Sequence, residues 1–244
     1  MAKLTTITSV AFVVGIFPAA GYSQEVQKRP PAKVELKKAL RNRSIENMKT
    51  IALALQNYHE AHGSFPPAVL RKGGGGQPYS WRVAILPFMG QKGKHLYRQY
   101  HFDEPWDGPN NRKLLEQIPQ AYRLPIKGQD PTYTSYFALT GPGTVFSGNK
   151  GTALADIRDD PTMTILFVEW KKPVPWTKPE DIPYTGDQPL TKVGGYHDTC
   201  ALQGAFGAAF VDGAVRFISA TMPDDLVSAF ITKAGGEKLP SFPK

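Results

Sequence analysis

Between Lys33 and about His62 the apolar positions return at three- and four-residue steps. Ile45, Met48, Ile51, Ala52, Leu55 and Tyr58 therefore fall on one face of a helix. At about 1.5 Å per residue the predicted helix is ~45 Å long. Gly63 supplies the residue that ends a helix in the left-handed region, and Pro66-Pro67 keeps the helix from restarting. The first half carries Lys33, Lys37, Lys38, Arg41 and Arg43 with a weak apolar face, so it is expected to project from the body.

Further along, the elements shorten. Ser80 is placed to cap a short helix over Trp81 to Leu86 that Pro87 ends. A second short helix is predicted over Lys94 to Tyr100, and a third over Asn111 to Ile118 with Leu114, Leu115 and Ile118 inward. The period then changes to that of strands. Thr134 to Leu139 reads TSYFAL, and Thr162 to Trp170 reads TMTILFVEW, the pattern of a strand buried on both faces. Lys171 to Pro189 reads as a long proline-rich excursion. A hairpin follows, with strands Ala208–Val211 and Ala214–Ile218 about an Asp212-Gly213 turn, expected to be type I′. Pro223 to Lys233 closes as a short helix with Asp224 and Asp225 at its positive end. The expected fold class is α+β: a long amino-terminal helix packed on an antiparallel sheet.

Met1 to Ser23 reads as a cleavable export signal. Lys3 is followed by the apolar run Val10 to Ile16 and the small residues about Pro18-Ala19-Ala20-Gly21, with cleavage expected after Gly21 or Ser23. A polar leader over residues 24–32, holding Pro30-Pro31, precedes one domain over residues 33–244. With 41% hydrophobic and 20% charged residues, the chain has enough apolar material for a core. The net charge of +8 is scattered except over Lys28 to Arg43, which admits an anionic polymer as a partner for that stretch. The single cysteine, Cys200, cannot form an internal disulfide or a cysteine-rich zinc site.

Candidate chemistry is sparse. The four glycines at 73–76 are followed by no Gly-Lys-Ser/Thr, so they do not make a phosphate loop. His59 and His62 lie one turn apart, but no carboxylate pattern completes a metal set. Asp103, Glu104 and Asp107 around Trp106 offer oxygen ligands of the kind calcium takes, although their spacing is not that of an EF-hand. Glu169 ends an apolar strand, where a carboxylate can act as acid or base or simply accept hydrogen bonds. His197, Asp198 and Asp212 suggest hydrolysis, but no nucleophile elbow accompanies them. Trp81 and Trp170 read as core residues; Trp176, within the proline-rich excursion, reads as a surface contact, and His197 is a second binding candidate.

Several blocks together resemble a large domain-of-unknown-function family (number fifteen fifty-nine) found chiefly in planctomycetes and described as type II secretion pseudopilin-like. They include Asn57-Tyr58-His59 through Gly63 to Pro66-Pro67, Ser80-Trp81-Arg82-Val83, and His101 to Asp107 around Trp106. Later blocks are Thr134-Ser135-Tyr136, Thr164 to Glu169, Val174 to Asp181, and the hairpin with Asp212-Gly213. In the family's late signature a histidine precedes Asp-Gly. Here His197 stands at a longer interval than that pattern. The resemblance implies a pseudopilin-like fold and no defined reaction or cofactor. An export signal in place of a prepilin helix implies a soluble form outside the cytoplasm, in the periplasm or beyond. Three functions stay open: an exported structural or interaction protein partnered by envelope or secretion-system proteins, an envelope hydrolase using Glu169, His197 and Asp212, and an anionic-polymer binder acting through the basic helix half. Nucleic acid is not the expected partner.

Overall fold

Why the first helix forms is visible in its composition: Ala, Leu, Lys and Glu make up much of a stretch free of glycine and proline. In the computed structural model, which describes residues 32–73, 75–124, 126–186, 205–219 and 221–237, this helix is α1, Ala32–His62. Gly63 ends it with φ 74° and donates its N–H to the His59 carbonyl at 2.7 Å. Leu40, Ser44, Asn47, Met48, Ile51, Ala52 and Leu55 form its buried stripe, while Leu36 and Leu53 face outward.

The remaining elements, in chain order, are short until the main sheet. Strands β1 (Val69–Arg71) and β2 (Pro78–Ser80) make an antiparallel hairpin, followed by α2 (Trp81–Ala84), a 3-10 turn at Leu86–Phe88, and α3 (Gly90–Gln99). Ser80 caps α2 by accepting from the Arg82 N–H. The predicted helix over Asn111 to Ile118 is instead one α-turn, α4 (Asn111–Leu114), tightening into a 3-10 turn at Leu115–Gln117. Then come β3 (Tyr133–Phe137), β4 (Leu139–Thr140), β5 (Ile165–Pro175), β6 (Ile182–Pro183), β7 (Ala205–Phe210), β8 (Val215–Ser219) and α5 (Asp224–Ala229).

Strands β3, β5, β7 and β8 lie in that order in one antiparallel sheet, and β4 pairs with β6 in a small parallel ladder. The fold is α+β. Because side chains alternate along a strand, each face of the four-stranded sheet carries its own core. On the face toward α1, Tyr136, Phe167 and Ala209 join Met48, Ile51, Leu55 and Trp81. On the other, Phe137, Ile165, Val168, Phe206, Phe210 and Ile218 meet Val227 of α5 and Phe230 and Ile231 just after it. The helix-facing positions of β7 are small. At Gly207 a Cβ would stand 3.0 Å from the Met48 sulfur, so the absence of a side chain lets α1 lie close to the sheet.

Two local expectations are corrected. The excursion predicted from Lys171 begins as strand, since β5 runs on to Pro175 and pairs Val174 with Thr134. The Asp212-Gly213 turn is not type I′: no residue other than glycine has positive φ among the described residues. The Gly213 N–H reaches the Phe210 carbonyl and the Phe210 N–H reaches the Ala214 carbonyl, each at 2.9 Å. With Gly213 at φ 85°, this is a three-residue loop closed by a glycine bulge.

Candidate functional site

The residues that suggested chemistry are placed apart. Glu169 falls on the helix-facing side of β5 and is 5% exposed; its Oε2 accepts from the Ser44 hydroxyl at 2.9 Å. Ser44 also lies 3.2 Å from the Tyr136 hydroxyl, to which Asn47 Nδ2 donates at 3.1 Å. A buried polar clasp thus ties α1 to β3 and β5. Asp212 stands at the hairpin tip, where it accepts from the Ala214 N–H at 2.9 Å and pairs with Arg216 at 3.1 Å. Val168 pairs with Ala208, so Glu169 lies opposite Gly207, inside β7, whereas Asp212 lies beyond the end of that strand at Phe210. Glu169 and Asp212 do not share a site. His197 and Cys200 lie outside the described residues, as do the expected export signal over residues 1–23 and residues 24–31 of the expected leader.

His59 and His62 serve separate partners. His59 Nε2 accepts from the Leu154 N–H at 3.2 Å, and His62 Nδ1 lies 2.9 Å from the Tyr58 carbonyl with its ring stacked on Tyr58. Asn57 and His59 border a small hollow of about 310 Å³ with Glu60, Phe65 and Val211. Next to them, Gln56 Nε2 donates to the Val211 carbonyl, and Gly213 packs so closely on Gln56 that a Cβ would meet it at 2.8 Å. The resembling blocks at the end of α1 and at the hairpin therefore meet in space.

The acidic loop is held from within. Glu104 accepts from the N–H groups of Asn110 and Asn111 at 2.8 and 2.6 Å and from Asn110 Nδ2 at 3.1 Å. Partial burial works to raise its pKa, but the Asn111 and Asn110 donors outweigh that and hold it below the ordinary value. Asp103 points to solvent, 3.9 Å from His101, and no group of three or more metal-ligating side chains gathers among the described residues. The candidates Asp103, Glu104 and Asp107 thus do not converge. Trp176 is a correction: it is fully buried and stacks on Tyr122 at 5.9 Å, because β5 carries the chain back into the core before the excursion begins. Trp106 is half-buried beside the Lys178 ammonium.

What the motif reading missed is a charged network at the bottom of a cleft. Arg82 is fully buried. Its Nε donates to the Tyr136 carbonyl at 3.0 Å, Nη1 to Ser80 Oγ at 2.9 Å and the Lys178 carbonyl at 3.4 Å, and Nη2 to the Glu180 carbonyl at 3.3 Å. Nη2 also meets Asp181 Oδ1 at 2.8 Å, and that oxygen further accepts from Trp81 Nε1 at 3.1 Å and the Ala138 N–H at 2.8 Å. Asp181 Oδ2 is buried without a hydrogen-bond partner among the described residues. Burial pushes the Asp181 carboxyl above the ordinary range, while Arg82 and then the Trp81 and Ala138 donors pull against it. The one sequence signal was an arginine inside the apolar run Trp81 to Leu86.

Asp181 lines a cleft of about 740 Å³, together with Pro67 through Arg71, Thr140, Gly141, Phe146, Gly148, Asn149 and Pro179. That volume lies in the range of small-ligand sites. Its walls are largely apolar, with Arg71, Thr140, Asn149 and Asp181 as their polar side chains, and no imidazole, thiol or serine hydroxyl lines it among the described residues. The arrangement can bind through hydrogen bonds and apolar contact.

Residues 38–127, from within α1 to just past the 3-10 turn at Gln120–Tyr122, match a family described as a protein of unknown function (DUF1559). No curated protein and no solved structure matches this chain.

Proposed function

We propose that this chain is an exported structural or interaction protein of the pseudopilin-like kind, acting by binding rather than by turnover. The observation that carries the proposal is the cleft at Asp181: it offers hydrogen-bonding and apolar surface around a fixed ion pair. The separation of Glu169, tied to Ser44, from Asp212, tied to Arg216, weighs against the hydrolase alternative. The long helix backing a twisted sheet and the match to a family without an assigned reaction are in keeping with this reading. No described helix is long and apolar enough to cross a membrane. Its partners are then proteins of the cell envelope or of a secretion system, met in the periplasm or outside the cell. Immobilised chain exposed to solubilised envelope extract is expected to retain a discrete, saturable set of proteins. Absence of retention, together with hydrolysis of ester, amide or glycoside substrates that Glu169→Gln abolishes, would overturn it.

One observation favours a second reading for the helix alone. Lys38 and Arg43 are exposed on the first half of α1, which leaves a basic stretch open to an anionic polymer. A heparin titration is expected to show affinity falling with salt, since neutralised charges release counterions. Affinity independent of salt would remove this reading.

A further inference from the structure

The cleft has a shape that its volume does not convey. Pro67, Ala68, Val69, Leu70 and Arg71 all line it, five residues in sequence. A strand that turned one face to a cavity would present alternate residues, so a consecutive run means that the edge of β1 faces the opening. The hairpin register agrees. The Trp81 N–H donates to the Ala68 carbonyl at 3.0 Å, and Val69 stands opposite Ser80. In an antiparallel pair the hydrogen-bonded positions alternate. Ala68 and Leu70 therefore aim their backbone groups at β2, and Val69 and Arg71 aim theirs outward.

The β1–β2 sheet has two strands, so the outer edge of β1 has no strand beside it among the described residues. One end of the gap is closed where Phe65 bridges to Thr152, its N–H 2.8 Å from the Thr152 carbonyl. Beyond that bridge the chains part, and Thr140, Gly141, Phe146, Gly148 and Asn149 form the opposite wall. Asp181 also lines the gap, with Oδ2 buried and unpartnered among the described residues and its side chain 3% exposed. A buried acceptor left open in this way calls for a donor.

We infer that the cleft takes an extended peptide segment of a partner polypeptide, which adds as a strand to the outer edge of β1 and donates a hydrogen bond to Asp181 Oδ2. This rests on the binding reading given above and names the ligand class for that site. Strand addition gives affinity through backbone hydrogen bonds and specificity through the side chains that fall into the walls. The donor is neutral, a Ser or Thr hydroxyl or an Asn or Gln amide. Arg82 already balances the Asp181 charge, so an added ammonium would sit as an uncompensated buried cation. A sugar fits less well, because stacking needs an open ring face and Phe146, the aromatic residue of the lining, is 1% exposed. A polyanion fits less well too: Arg71 is the one basic lining residue among the described residues, and its Nη1 is already given to the Gly76 carbonyl at 3.0 Å.

The test is to pan a random heptapeptide display library on the purified chain and to measure synthetic forms of the enriched peptides. A panel of oligosaccharides is titrated alongside. Peptides rich in Ser, Thr, Asn or Gln are expected, and binding them should slow amide exchange at Val69 and Arg71. Val69→Pro removes an outward N–H without touching the ladder to β2, which an edge position tolerates. It should weaken binding about 10-fold, the effect of one lost hydrogen bond. Asp181→Asn should weaken it as well, and Val69→Pro keeps the question decidable if the Asn variant fails to fold. No enrichment, equal binding to Val69→Pro, or oligosaccharide binding in place of peptide would each overturn the inference. If Val69→Pro still retains the same envelope proteins while peptides fail, strand addition falls and the binding function stands. Loss of both retention and peptide binding in the unaltered chain would remove both.

Discussion

Arg82 carries a full charge where water does not reach, and five hydrogen bonds occupy its three nitrogens. Through them the guanidinium holds β3, the β2 end and the segment from Lys178 to Asp181 in one place. Replacing it with apolar bulk leaves Asp181 buried without its cation. Arg82→Met is expected to cost about 3–5 kcal/mol, read as a shift in the urea midpoint. Tyrosine ionisation gives a second residue-scale outcome. Burial, then the neighbouring Tyr97 and Tyr58, pushes the Tyr79 phenol from its ordinary 10.0 up to about 12, and burial likewise raises Tyr58, Tyr97 and Tyr100. Because the fold holds these protons more tightly than the unfolded chain does, their contribution to stability is fully present below about pH 10 and is lost as pH rises toward 12. Absorbance at alkaline pH should therefore show Tyr79 ionising late, together with unfolding. Ionisation of every tyrosine near pH 10 with the fold intact would contradict this.

At the scale of elements, α1 stands on its stripe. Leu55 is fully buried against the sheet and Leu53, two residues earlier, is 57% exposed. Leu55→Ala is expected to lose about 2–5 kcal/mol and Leu53→Ala less than about 0.5 kcal/mol, both measured by urea denaturation. This helix was legible in the sequence because its signal is local: a period, a glycine stop, and two prolines beyond it. The buried strand β5 was legible for the same reason, as an unbroken apolar run. The hairpin was placed correctly but its turn was not, since Asp-Gly serves either a type I′ turn or a bulged loop and only the pairing of Phe210 with Ala214 decides. Trp176 was misplaced because nothing near it in sequence announces Tyr122, the ring it stacks on. The cleft escaped notice for a like reason: β1, the Thr140 segment and Asp181 are far apart along the chain and meet only through the fold.

For the whole molecule, the polar side chains that looked like chemistry hold one layer to another. Glu169 and Ser44 join sheet to helix, Gln56 joins the helix end to the hairpin, and Asp212 closes its own loop. Under the proposed function, binding is then left to the cleft. The most direct measurement is a double-mutant cycle on Ser44→Ala and Glu169→Gln, read as unfolding free energy. Side chains that meet in one network couple by about 0.5–3 kcal/mol, so the double variant should lose less than the sum of the two single losses. Strictly additive losses, or a Glu169→Gln variant of unchanged stability that has lost a measurable turnover, would contradict the structural role assigned to this clasp.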